Sequence, residues 1–246
     1  MKPEAVMDIV KDTPFMTPAR GRQIYDFILK HNLRRSLELG IAHGVGTVWI
    51  TAAAQEIGGE VVAIDTDYAQ HLSPLASDLL DRAGLSEVVK LYCPSEGYTW
   101  HLQERLEEYE ANPFDFIFLD GAHNWDTDGF AFFLCERVLR PGGWILFDDL
   151  NWRYVDSPKA MSSKWVQESL SHEQRQVPHI RIVWEKLVLP HPSFADFIDD
   201  GNWGWARKKD VSSTERTMTV VHHHTRPFAK RLRARAYKAA KRIGLR

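Results

Sequence analysis

Residues 37–47, LELGIAHGVGT, are the stretch of sequence that decides the fold. A short apolar run carries the acidic residue Glu38 near its end, three glycines then fall within seven positions, and a helix-like pattern follows. Glycine permits sharp backbone turns and lets a ligand lie against the main chain. The stretch therefore predicts a strand, a ligand-binding turn and a helix.

A second apolar strand, residues 61–65, ends in the carboxylate of Asp65. At the carboxyl edge of an α/β sheet such a carboxylate can accept hydrogen bonds from ribose hydroxyls, which predicts a nucleoside-containing cofactor. A dinucleotide site would use the spacing G-x-G-x-x-G. Here the glycines are spaced G-x-x-x-G-x-G beside Glu38, which suits a cationic or amine-bearing ligand.

Further motifs follow in a fixed order at residues 114–123, FDFIFLDGAH, and 139–149, LRPGGWILFDD. With the glycine stretch and Asp65, they make residues 33–150, and more loosely the chain to about 209, resemble the class I S-adenosylmethionine-dependent methyltransferases. The resemblance implies a Rossmann-like α/β fold with helices on both faces of a seven-stranded sheet. The implied strand order is 3-2-1-4-5-7-6, with the last strand antiparallel.

The resemblance also implies which residues contact S-adenosyl-L-methionine. They are Glu38, Gly40, Gly44, Asp65, Ser95 and Asp120. Asp65 would take the ribose hydroxyls, whereas Ser95 falls where the family contacts the adenine end. The aspartate usual there is replaced by Pro94, so a plain loop serine is an equal interpretation of Ser95.

Apolar runs alternate with helical patterns along the chain, which predicts a parallel sheet with right-handed crossovers. Strands are expected at 34–39, 61–65, 88–92, 114–120 and 144–148, and helices at 18–30, 45–57, 74–83, 99–110, 127–139, 158–171 and 179–189. Asp200-Gly201-Asn202 predicts the turn of a final hairpin. We divide the chain into an N-terminal covering helix region (1–32), a methyltransferase domain (33–210) and a connector with a basic tail (211–246).

Three acids, Asp120, Asp148 and Asp149, end two strands that the expected order places side by side. Packed carboxylates cost free energy unless a cation or protons neutralise them, and oxygen ligands suit Mg²⁺, Mn²⁺ or Ca²⁺. Here the chain resembles metal-dependent O-methyltransferases of the catechol and sugar types, in which such acids hold one divalent ion, with Mg²⁺ the expected one. Alternatively, Asp148-Asp149 caps the following helix and Asp120 serves the cofactor.

His123 is the candidate catalytic base, because an imidazole can take a hydroxyl proton near neutral pH. It follows Asp120 by three residues, on the loop expected to face the methyl donor. Sugar-type relatives carry an aspartate one residue earlier, where this chain has Ala122. A metal ligand and a loop histidine bonded to its own backbone remain alternatives.

The composition, 44% hydrophobic over 246 residues, suits one α/β domain. The two cysteines form no metal or disulfide pattern, and no apolar run has the ~20 residues of a membrane span, so we expect a cytoplasmic protein. Residues 226–246 contain nine Lys or Arg and no acid, while the rest of the chain holds 22 basic and 33 acidic residues and carries −11. That acidic balance argues against nucleic acid.

The tail, residues 226–246, has apolar residues at helical spacing with basic residues between them. Such a helix can lie on the anionic inner surface of a membrane, on the chain's own acidic surface, or on a second copy in a homo-oligomer. A solvated tail is the remaining interpretation.

The function implied by the resemblance is S-adenosylmethionine-dependent, Mg²⁺-dependent O-methylation of a small hydroxylated molecule, such as a sugar, glycan or polyketide-like compound. Alternatives are a metal-independent methyltransferase that uses His123 alone, a nucleic-acid methyltransferase, and a non-catalytic cofactor-binding or scaffold protein.

Overall fold

Seven strands form one mixed sheet in the computed structural model, which describes residues 1–210. They are β1 (Arg35–Leu39), β2 (Glu60–Ile64), β3 (Val89–Tyr92), β4 (Phe114–Leu119), β5 (Leu139–Phe147), β6 (Phe194–Asp199) and β7 (Gly204–Lys208). Their order is β3-β2-β1-β4-β5-β7-β6. The first five strands are parallel, and β7 pairs antiparallel with both β5 and β6. The predicted fold class and strand order are confirmed.

Helices precede the sheet and connect its strands. They are α1 (Pro3–Val10), α2 (Pro18–His31), α3 (Val45–Glu56), α4 (Ala76–Ala83), α5 (Tyr98–Glu104), α6 (Leu106–Ala111), α7 (Trp125–Val138), α8 (Pro158–Met161), α9 (Lys164–Ser169), α10 (His172–Gln176) and α11 (His179–Val183). A 3-10 segment covers Asp67–His71, and α11 continues into a π-helical turn at Trp184–Val188. The helices cover both faces of the sheet because its central strands are apolar on both sides.

Alternate side chains of β4 show how the sheet separates two apolar layers. Phe116 and Phe118 pack on one face with α2 and α3, whereas Ile117 and Leu119 pack on the other face with α7 and α11. All four side chains are buried. The sheet therefore has a fixed position between two helical layers, and the carboxyl ends of its parallel strands meet at one edge.

Several local predictions differ from the structure, among them the helix expected over 99–110, which is divided into α5 and α6. The strand expected to begin at Trp144 begins at Leu139. Pro141-Gly142-Gly143, which was expected to stop the preceding helix, instead lies within β5, where the pairing with β4 is irregular between Phe114 and Phe116. The helix expected over 158–171 is divided into α8 and α9. The N-terminal region holds the additional helix α1, which packs on α3 and α4.

No helix within residues 1–210 has the length and apolar character needed to cross a membrane. The predicted connector and basic tail lie outside the described residues. The proposed domain boundaries stay predictions.

Candidate functional site

Gly40 joins the end of β1 to the glycine turn and lies against the end of β4. Its φ is +99°, and a Cβ at this position would overlap the backbone carbonyl of Asp120. A side chain is therefore excluded both by the backbone conformation and by the neighbouring strand. This close approach brings the turn and Asp120 to the same place.

Asp65 holds the glycine turn from the neighbouring strand. Its Oδ2 accepts hydrogen bonds from the backbone N–H groups of Ile41 at 2.7 Å and Ala42 at 2.8 Å, and its Oδ1 accepts one from Thr66 N at 2.6 Å. A carboxylate has about four acceptor positions, so capacity remains for a ligand hydroxyl. Asp65 thus fixes the turn and also lines the cavity described below.

Glu38 lies beneath the glycine turn, and its side chain is buried. A Cβ at Gly46 would lie 2.8 Å from its Oε1, and its Oε2 has no hydrogen-bond partner within residues 1–210. Burial raises the pKa of Glu38 well above its usual range. The residue therefore supports the turn from behind and does not line the cavity, although the sequence predicted a cofactor contact.

A cavity of about 480 Å³ opens at the carboxyl ends of the parallel strands. Its floor carries the predicted residues Gly40, Asp65, Asp120, His123, Asp148 and Asp149. Gly44 does not line it: this glycine caps α3 with φ +86°, and a Cβ there would lie 2.5 Å from that of Ala76. Ser95 is exposed and also lies outside the lining.

Asp120, His123 and Asp149 form a compact group at the floor. The Nε2 atom of His123 lies 3.1 Å from Oδ2 of Asp149 and 3.4 Å from Oδ1 of Asp120. One ligand atom from each of the three residues lies within 4.8 Å of the others, a spacing at which the three could hold one metal ion. His123 and Asp149 both have left-handed backbones, with φ of +55° and +54°. Strained backbone of this kind is concentrated at functional sites.

Asp148 is held differently from its neighbour. Its Oδ1 accepts hydrogen bonds from the indole Nε1 of Trp203 at 2.6 Å, from Asp149 N at 2.6 Å and from Asn202 Nδ2 at 3.4 Å. The sequence grouped Asp148 with Asp120 and Asp149 as metal ligands. In the structure, His123 takes its place in the compact group.

The charges of the group are strongly coupled. Burial, followed by the carboxylates of Asp120 and Asp149, raises the pKa of Asp148 to about 8. Burial would lower the pKa of His123, but hydrogen bonds to Asp120 and Asp149 raise it well above its ordinary value. A positive charge is therefore favoured between the carboxylates of Asp120 and Asp149, supplied by a proton on the imidazole or by a cation.

A buried hydrogen-bond network shapes the loop that carries His123. The Tyr98 hydroxyl donates to Oδ1 of Asp128 at 2.5 Å, and Oδ2 of Asp128 accepts from Asn124 N at 3.0 Å. The N–H of Ala122 donates to the Tyr98 hydroxyl at 3.0 Å. Because the two anchored amides flank His123, the network fixes the direction in which the imidazole leaves the loop.

Among the cavity-lining residues that sequence reasoning did not name are five from segments far apart in the chain. They are Phe15, Tyr68, Lys159, Asn202 and Trp203. Only the tryptophan and the asparagine lie near a recognised signal, the turn at residues 200–202. The others follow no motif, and only the folded chain brings them together.

Comparison with known proteins identifies the central part of the chain. A family model described as "Methyltransferase domain" matches residues 37–150, which contain the glycine turn, Asp65, the Asp120 loop and Asp148-Asp149. Residues 37–150 form a class I S-adenosylmethionine-dependent methyltransferase domain.

Curated relatives of this methyltransferase domain include two proteins from Dictyostelium discoideum, named "Probable caffeoyl-CoA O-methyltransferase 1" and "2". The first is 30% identical over 123 residues, which are 48% of this chain and 49% of the relative. The second is 29% identical over 123 residues, 48% of each chain. The chain thus spans about half the length of the curated relatives it matches.

Solved structures resemble the methyltransferase fold over a larger part of the chain. The O-methyltransferase TomG from Streptomyces achromogenes, in complex with SAM, has a TM-score of 0.60 at 19% identity and covers 85% of this chain and 91% of its own. An O-methyltransferase from Bacillus cereus, in complex with SAH, has a TM-score of 0.59 at 20% identity, and the match covers 85% of this chain and 92% of the Bacillus protein. These similarities extend the fold assignment beyond the matched domain.

Proposed function

We propose that the chain is an S-adenosylmethionine-dependent O-methyltransferase that methylates a hydroxyl of a small molecule with the help of one divalent ion, with Mg²⁺ as the expected metal. The observation that carries the proposal is the position of the Asp120, His123 and Asp149 group in the same cavity as the glycine turn. A methyl donor and a metal-bound acceptor would then be neighbours. Holding two reactants together accounts for much of the acceleration in such a transfer.

The residues present fit the cofactor. The cavity is within the ~300–1,000 Å³ range of small-molecule sites. Gly40 lines the cavity with backbone alone, and the carboxylates of Asp65 and Asp120 favour a cationic ligand. When bound, S-adenosylmethionine supplies an electrophilic methyl group. Asp65 would hold its ribose, and the Gly40 turn would lie against its amino-acid part.

The donor atoms also fit a hard divalent cation. Asp120 and Asp149 offer carboxylate oxygens and His123 an imidazole nitrogen, within one coordination sphere. When bound, the ion lowers the pKa of an acceptor hydroxyl. Asn202 donates to Oδ1 of Asp149 at 3.5 Å and orients it. Asp148, its Oδ1 occupied by Trp203, would add negative charge beside the ion.

A metal-independent methyltransferase is the second candidate, and the contacts of His123 favour it specifically. An imidazole hydrogen-bonded to two carboxylates is a familiar arrangement for a proton acceptor. In this case the neutral form of His123, which forms only above its raised pKa, would take the acceptor's proton, and Asp120 and Asp149 would stabilise the resulting imidazolium.

Calorimetric titration of the full-length chain with S-adenosylhomocysteine and with Mn²⁺ tests the proposal. We expect both ligands to bind, and Asp149→Asn to weaken Mn²⁺ binding by at least ~10-fold, since even groups behind the ligands cost that much. Asp148→Asn is the matched control and should weaken Mn²⁺ binding less than Asp149→Asn does, because it removes a neighbouring charge but no member of the compact group.

Each alternative has its own result in this titration. Cofactor binding without Mn²⁺ binding, and methyl transfer that survives a chelator, would establish the His123 mechanism. A loss of Mn²⁺ affinity from Asp148→Asn as large as that from Asp149→Asn would restore the ligand set predicted from the sequence, which contains both residues. Failure to bind the cofactor would overturn the proposed function.

A further inference from the structure

Three separate segments bring exposed side chains together at the outer end of the cavity. Phe15 precedes α2, Tyr68 lies in the 3-10 segment after β2, and Lys159 belongs to α8. Phe15 is 71% exposed and Tyr68 is 55% exposed, whereas the side chains of the acid and histidine group are 23–35% exposed. The cavity therefore has an acidic floor and an outer end with two aromatic rings and Lys159, whereas the other Lys or Arg of its lining, Arg20, is paired with Asp200.

The ammonium group of Lys159 lies between the two rings. Its Nζ is 5.9 Å from each ring centroid, at the outer limit of a cation–π contact, which is weak at exposed sites. Within residues 1–210 it forms no ion pair and no hydrogen bond, unlike Lys208, which donates to Leu139 O at 2.9 Å. Three donors of Lys159 are thus available to a ligand.

Phe15 is held in place although it is exposed. Its φ is +89°, which is unusual for a bulky residue and indicates strain that the surroundings maintain. The ring stacks on His43, with centroids 5.5 Å apart and an interplanar angle of 25°. His43 is anchored in turn by a hydrogen bond from Nδ1 to the carbonyl of Pro74 at 3.0 Å. This gives His43 of the glycine turn a role: it supports the aromatic wall.

We propose that Phe15, Tyr68 and Lys159 form an acceptor subsite for a negatively charged group, a carboxylate or phosphate, carried by a flat aromatic body. The inference rests on the proposed function, because it names the acceptor class of the same cavity. The rings offer faces on which a planar molecule stacks. Lys159 attracts the anion, while the acids of the floor repel it, so the molecule enters with its hydroxyl toward Asp120 and Asp149 and its anionic group outward.

Equilibrium binding of matched probes to the full-length protein tests the subsite. The first pair is protocatechuate and its primary amide, which differ in charge but hardly in shape. The second pair is phenyl phosphate and phenol, which shows whether phosphate is accepted as well. We expect at least one anion to bind ~10-fold more tightly than its neutral partner, as a charge-assisted hydrogen bond would give. Added salt should reduce the preference.

Single substitutions show which residue is responsible for the tighter binding of the anion. Lys159→Met should remove the difference between the anion and its neutral partner. Lys164→Met, which changes an 85% exposed lysine of the neighbouring helix α9 outside the cavity, should leave it intact. Phe15→Leu should weaken the acid and the amide by the same factor, because it removes a ring face and no charge.

The result is separable from the proposed function, because S-adenosylhomocysteine binding is measured on the same samples. Equal binding of both members of both pairs by the wild type would overturn the subsite, as would a preference that survives Lys159→Met, even with the cofactor bound. A preference that Lys159→Met removes, in a protein that does not bind the cofactor, would support the anion site and overturn the methyltransferase activity.

Discussion

At the scale of single residues, Gly40 makes the tightest demand on the site. Its positive φ and the adjacent Asp120 carbonyl leave no room for a Cβ. Gly58 has a similar backbone, with φ +66°, but no atom of the described residues lies within 4 Å of a Cβ built at this position. A comparison of alanine substitutions at the two glycines therefore separates the free-energy cost of backbone strain from that of a steric clash.

We expect Gly40→Ala to lower the free energy of unfolding by ~3 kcal/mol, since a left-handed backbone costs ~1–2 kcal/mol and overpacking ~1–3 kcal/mol. Gly58→Ala should cost only the first of these contributions. Urea denaturation measures both changes, and calorimetry should show that Gly40→Ala alone weakens S-adenosylhomocysteine binding. Equal losses of unfolding free energy in the two variants would mean that the backbone at the end of β4 moves to accommodate the added methyl group at little cost.

The sequence predicted those parts of the site that depend on local chemistry. Gly40 and Asp65 were found because turns and strand ends leave a local signal, and both line the cavity. Lys159 left no such signal. Trp203 had only the neighbouring turn at residues 200–202, and it reaches Asp148 from 55 residues farther along the chain. Glu38 was predicted to contact the cofactor, whereas the packing of the folded chain buries it behind the turn, outside the cavity lining.

At the scale of elements, the hairpin of β6 and β7 does more than complete the sheet. Its turn delivers Trp203 and Asn202 to Asp148 and Asp149, and the Asp200 carboxylate accepts a hydrogen bond from Arg20 of α2. The guanidinium of Arg20 also lies 4.4 Å from the centre of the Trp203 ring. The hairpin thus connects the acids to the helix that covers the sheet.

Trp203→Phe should lower the free energy of unfolding by ~1–3 kcal/mol more than Trp205→Phe, because it deprives a buried carboxylate of a hydrogen bond. Trp205 is a suitable control: it is 2% exposed, and its indole makes no hydrogen bond within the described residues. Chemical denaturation of the two variants measures the difference. Equal stabilities would show that Asp148 finds another donor.

At the scale of the whole molecule, the described residues 1–210 by themselves form a seven-stranded sheet and a cavity at its edge. A chain that ends at residue 210 should therefore keep the free energy of unfolding within ~0.5 kcal/mol and bind S-adenosylhomocysteine as the full chain does. Urea denaturation and calorimetry of the two lengths test this. A shortened chain that fails to fold would place part of the stability in residues 211–246.

The hairpin of β6 and β7 is synthesised after the other strands of the sheet, so the groups on its turn join the site last. Domains fold as a ribosome releases them, from the N terminus onward. The glycine turn and Asp120 emerge early, but the indole that holds Asp148 and the carboxylate that holds Arg20 belong to residues 203 and 200. A nascent chain therefore completes its ligand cavity only with the last strands of the sheet, and a prematurely terminated product lacks the groups that hold the cavity in shape.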